Sequence, residues 1–97
     1  MEKDRELISS LYDLYGNLLT EKQKNYFEDY YFMDLSLAEI AENNNVSRNA
    51  VFDQIKRTVN TLLEIEEAVK LNEKVERVQS MDFDSTLKEK IISILKE

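Results

Sequence analysis

Six polar side chains crowd one short stretch of the chain, Ser47, Arg48, Asn49, Asp53, Lys56 and Arg57. Their chemistry suits the edges and phosphates of double-stranded DNA. Arginine can bond both acceptors of a guanine edge, asparagine pairs with adenine in the same bidentate way, and aspartate accepts from the cytosine amino group. A serine hydroxyl can donate to a phosphate, which lysine and arginine neutralise. A helix that starts at Arg48 brings Arg48, Asn49, Phe52 and Asp53 near solvent in its opening turn, with Lys56 and Arg57 one turn further on. Solvated residues on an ordinary amphipathic helix would look the same when taken singly, so the elements around them must decide.

Other chemistries have little to stand on. The chain has no cysteine and no histidine, which excludes disulfides and thiolate metal sites and removes the commonest metal ligand and general base. Catalysis would rest on carboxylates alone, and no grouping supplies a base, an orienting partner and a pocket. No metal, cofactor or enzymatic activity is expected. The net charge is −7, from 13 basic and 20 acidic residues, and it opposes non-specific attraction to a polyanion. Residues 1–33 carry four basic and seven acidic groups, residues 34–60 three and four, and residues 61–97 six and nine. The stretch with the six polar side chains is therefore the least acidic part, though not a basic patch.

Ninety-seven residues make one small domain, residues 1–97. One glycine and no proline leave little to interrupt helices or to build hairpins, so the expected class is all-α. No apolar run approaches the roughly 18 residues that span a bilayer, and Met-Glu-Lys-Asp-Arg-Glu lacks the apolar segment of a signal peptide. Both point to the cytoplasm.

The first helix should run from about Asp4 to Tyr15 on the stripe Leu7, Ile8, Leu11, Leu14 and Tyr15. Gly16 is placed to end it in the left-handed conformation. Thr20 and Gln23 form a capping box for a second helix that reaches about Phe32. Its Tyr26, Phe27, Tyr30 and Tyr31, with Tyr12 and Tyr15, can interlock the first two helices; beside Lys22 and Lys24 they could instead be a base-stacking platform. The need of so small a domain for buried area favours the core. Ser36 and Glu39 form a second box, opening a short helix to about Asn43 with Leu37, Ile40 and Ala41 inward. Small Ala41 allows two crossing helices to approach closely. Asn43, Asn44 and Asn45 make the turn, Val46 plugs the space between helices, and Ser47 caps a fourth helix with Val51, Ile55, Val59 and Leu62 as its inner line. Together these form a helix-turn-helix from Leu35 to Arg57 within a core of about residues 20–65.

A long C-terminal helical extension, about residues 66–97, follows. Ile55, Val59, Leu62, Ile65 and Val69 share one face of a 100° wheel, whereas Ala68, Leu71, Val75 and Val78 fall on nearly the opposite one. Either the helix breaks near Asn72, or its distal half packs on a second copy through Leu71, Val75 and Val78, giving a homodimer. Ser80 to Ser85, with Met81 and Phe83, connects to a last helix with a capping box at Thr86 and Glu89 and an apolar face of Leu87, Ile91, Ile94 and Leu95. That face folds back on its own chain or docks on a partner.

The segment Leu37-Ala-Glu-Ile-Ala-Glu-Asn-Asn-Asn-Val-Ser-Arg-Asn-Ala-Val resembles the promoter-reading helix-turn-helix of sigma-factor region 4. More closely, Leu19-Thr-Glu-Lys-Gln, Tyr30-Tyr31, Leu35-Ser-Leu-Ala-Glu-Ile-Ala-Glu and Asn45-Val-Ser-Arg-Asn-Ala-Val-Phe-Asp-Gln-Ile-Lys-Arg look like the YlxM family of Firmicutes and mycoplasmas. The resemblance implies a DNA-binding regulator encoded beside the signal recognition particle GTPase, with an accessory role in protein targeting and components of that particle as partners. Asn44 stands where such units usually have an aromatic core residue, Asn45 where many have glycine, and Gln54 where an apolar residue is frequent. A looser turn is expected from Asn44. The alternative function is a protein-interaction module of the targeting machinery that does not bind DNA.

Overall fold

A computed structural model describes residues 4–82 and 84–97. They form α1 (Arg5–Tyr15), a single 3-10 turn (Gly16–Leu18), α2 (Glu21–Tyr31), α3 (Leu37–Asn44), α4 (Arg48–Val69), α5 (Leu71–Gln79) and α6 (Ser85–Lys96), with no strand among the described residues. The chain is an all-α helix-turn-helix domain. Phe83 of the expected connection lies outside the described residues.

The first four helices close one core. Leu11, Phe27, Ile40, Val51, Ile55 and Leu62 are fully enclosed, with Ile8, Tyr15, Tyr26, Tyr31 and Ala41 around them. α4 is its axis, because α1, α2 and α3 all pack on it. At 22 residues it is about 33 Å long, enough to serve the core and still project at both ends. The aromatic residues of α2 belong to this core and not to a stacking platform. The Phe27 ring stacks between Tyr12 and Tyr31, with centroids 4.4 Å away on each side. Arg5 joins the same seam: its guanidinium lies 4.7 Å from the Tyr31 ring centroid and donates to the Tyr31 carbonyl at 3.2 Å.

Several local expectations change. Gly16 is right-handed, with φ −54°, and continues α1 into the 3-10 turn instead of ending it in the left-handed region. Its missing side chain serves the Tyr12 ring, which lies 3.4 Å from where a Cβ would sit. Val46 does not plug the helix crossing; it is 38% exposed. Thr58 takes a fully buried place on α4 that the apolar pattern passes over. Its hydroxyl donates to the Gln54 carbonyl at 2.9 Å, so the group enters the core with its hydrogen bond made.

The two opposed stripes of the C-terminal half are reconciled by a break, and it falls at Lys70, with φ 56°, two residues before Asn72. α5 then turns back against α1. Val75 is 5% exposed, Leu71 packs on the core and Val78 is half-buried. The surface assigned to a second copy is thus largely occupied by the chain's own helices, and the switch of face no longer calls for a dimer. The α6 N-cap is Asp84, whose carboxylate accepts from the Thr86 amide at 2.8 Å, in place of the Thr86 and Glu89 box. α6 packs along α5, and Lys88 donates to the Gln79 carbonyl at 3.2 Å, yet no α6 side chain is buried.

Candidate nucleic-acid interface

The unit that presents the six polar side chains is fixed at each joint by short-range hydrogen bonds. At the start of α3 the Ser36 hydroxyl accepts from the Glu39 amide at 3.1 Å, while the Glu39 carboxylate accepts from the Ser36 amide at 3.0 Å. Hydrogen bonding from Ser36 to the carboxylate holds the Glu39 carboxyl below its ordinary pKa, the backbone amide of Ser36 being the larger cause and its side chain the next. α3 ends on Asn45 in the left-handed conformation, φ 54° and ψ 46°. The Val46 amide donates back to the Ala41 carbonyl at 3.0 Å and the Asn45 amide to the Glu42 carbonyl at 3.3 Å, the paired bonds of a Schellman turn. Asn43 and Asn44 remain helical, so Asn45 alone makes the reversal. The Asn44 side chain donates to the Ile40 carbonyl at 2.7 Å, which ties down the last turn of α3 in place of an aromatic plug. The turn is tight, contrary to the loosening expected there.

Ser47 follows in extended conformation, and its hydroxyl oxygen accepts from the Ala50 amide at 3.0 Å to cap α4. The proton of that hydroxyl is still available to a phosphate. Val51, Ile55, Thr58 and Leu62 then anchor one side of α4 in the core. At about 100° per residue, Asn49, Asp53 and Lys56 lie on the opposite side with Arg57 flanking them, while Arg48, the first residue of the helix, leaves it nearer the core-facing side.

All six predicted side chains are exposed. They lie on the cap and first three turns of α4, spanning roughly 15 Å. Arg48, Lys56 and Arg57 have no carboxylate partner among the described residues. The last two turns of the helix carry Glu64, Glu66 and Glu67 instead. α4 therefore carries these three cations in its N-terminal half and these three carboxylates in its C-terminal half, and Arg48 alone lies in the first turn, where the backbone amides also point outward. Leu71, Val75 and Val78 lie away from this group, in α5.

No group of three or more acidic side chains is placed to hold a metal among the described residues. No helix among them is long and apolar enough to cross a membrane.

A capped short helix, a left-handed asparagine turn and a second helix with an exposed polar opening define a helix-turn-helix protein. Comparison with known proteins gives the particular family. The model of UPF0122, described as "Putative helix-turn-helix protein, YlxM / p13 like", matches residues 1–96, and the chain belongs to that family. A UPF0122 protein of Fusobacterium nucleatum is 44% identical over 94 residues, covering 91% of each chain. One of Clostridium botulinum is 50% identical over 90 residues, covering 91% of this chain and 83% of the relative. One of Malacoplasma penetrans is 56% identical over 69 residues, 71% of this chain; that match spans just under two thirds of the relative, 64%.

Proposed function

We propose that this protein is a DNA-binding regulator that lays the opening turns of α4 in the major groove. The observation that carries the reading is the set of exposed polar side chains between Ser47 and Arg57, with three cations unpaired among the described residues, on the second helix of a helix-turn-helix. Arg48 reads a guanine edge, Asn49 an adenine and Asp53 a cytosine amino group, while Ser47, Lys56 and Arg57 hold phosphates. Fluorescence anisotropy at low salt, with duplexes that include the DNA upstream of its own operon, tests it. Arg48→Ala is expected to weaken binding by about 5- to 150-fold, the equivalent of about 1–3 kcal/mol for a bidentate base contact. Binding that is absent, or indifferent to Arg48, removes the reading.

A second reading is favoured by the net charge of −7. In it the acidic remainder of the molecule meets a basic protein or ribonucleoprotein, and the likeness to YlxM proteins directs attention to the signal recognition particle. Pull-down with the particle's GTPase and its RNA discriminates, because a regulator acting on DNA alone gives no complex there.

A further inference from the structure

The opening turns of α4 expose one large apolar side chain among their polar ones. Phe52 is 38% exposed, although the core-facing side of the same helix, Val51 and Ile55, is completely enclosed. Among the described residues no second ring stacks on it and no cation sits over it. It stands one turn after Arg48 and Asn49 and one turn before Lys56. A helical side chain leans toward the N-terminus and covers the turn before its own Cα, so the ring lies over the turn that bears Arg48 and Asn49. A partly exposed apolar ring among donors and acceptors matches the one apolar mark in the major groove, the 5-methyl group of thymine.

We infer that Phe52 is a specificity-determining side chain whose ring packs on the methyl group of a thymine beside the base pairs met by Arg48 and Asn49. The role rests on α4 being the DNA-reading helix. It makes the preferred site thymine-containing at a fixed offset from those base pairs. Phe52 supplies sequence preference and none of the phosphate attraction, so its loss leaves the salt dependence of binding unchanged.

The test enriches bound duplexes from a random library at low salt with the full chain. The enriched duplex is then remade with deoxyuridine in place of each thymidine in turn, which deletes only the methyl group. Wild type is expected to bind one of these duplexes about fourfold more weakly, the ratio set by losing one buried carbon. Phe52→Gln should bind that duplex and its thymidine parent equally, Phe52→Leu should keep part of the preference, and thermal melts should show both variants folded. Enriched DNA that wild type binds equally well without any methyl group overturns the role of Phe52 alone. So does a Phe52→Gln variant that keeps the preference. Failure to enrich any duplex overturns the DNA-binding reading and the role of Phe52 with it.

Discussion

Glu66 shows how one side chain can set the course of a helix. Its carboxylate accepts from the Tyr15 hydroxyl at 2.6 Å, the Asn72 amide at 3.1 Å and the Glu73 amide at 3.2 Å. The Tyr15 oxygen in turn accepts from the Leu71 amide at 3.2 Å. Three amides at the start of α5 are thus satisfied by α1 and α4, because Lys70, the residue in the capping position, makes no side-chain bond there. This accounts for a break at Lys70 and not at Asn72: α5 must begin where the Glu66 carboxylate can reach its first amides. Glu66→Ala leaves these donors without their partner and is expected to cost about 1–3 kcal/mol, read as a lowered melting temperature. Burial, followed by the bond to Glu66, pushes the Tyr15 phenol above its ordinary value of 10.0. Above about pH 10 the unfolded chain loses this proton before the folded one does, so the folded state holds more protons and stability falls as pH rises. Tyr15→Phe should flatten that alkaline decline in melts taken across the range. None of this node could be read from the sequence, since Tyr15 and Glu66 stand 51 positions apart and nothing local marks them as partners.

At the scale of elements, the helix starts that were legible depend on residues three positions apart. Thr20 with Gln23 and Ser36 with Glu39 close reciprocal boxes because each bond lies within one turn and needs no distant partner. The Thr86 and Glu89 pattern has the same spacing, but Asp84 reaches the Thr86 amide first and α6 begins earlier. The apolar wheel located the inner line of α4 and missed Thr58, since a hydroxyl that bonds within its own helix enters a core on terms that polarity alone does not reveal. Val46 and Gly16 were misread for a related reason: where the first depends on the path of a turn, the second depends on the Tyr12 ring packed over it. Asn45 was legible as part of an asparagine run, and the structure gives it the whole reversal. Its left-handed backbone predicts that Asn45→Val costs about 1–2 kcal/mol, whereas Asn45→Gly is tolerated. Denaturant unfolding of the two variants measures this, and equal midpoints would contradict the assigned role of the turn.

The whole molecule is long for its size, 50 × 24 × 23 Å, because α5 and α6 extend a core that the first four helices close. Leu87 and Ile94 of α6 stay 48% and 67% exposed, so the expected apolar face of the last helix is only partly covered by its own chain. The pattern revealed that face, while its covering depended on where α5 turned back. The placement of the six candidate residues was legible because they fall on the cap and first three turns of one helix; the charge asymmetry of α4 emerged only once Lys70 fixed where that helix ends. This asymmetry leads to a prediction for the molecule as a unit. If Lys56 and Arg57 are the cations of α4 that meet phosphates while Arg48 meets a base, one chain neutralises about two phosphates, so log K against log salt should have a slope near −1.8. Two chains bound together through the remaining surface, as a homodimer would bind, should double it to about −3.6. A titration series from low to physiological salt, beside sedimentation of the complex, separates the two. A slope near zero would mean that the acidic flanks cancel the reading helix and that its partner is not a nucleic acid.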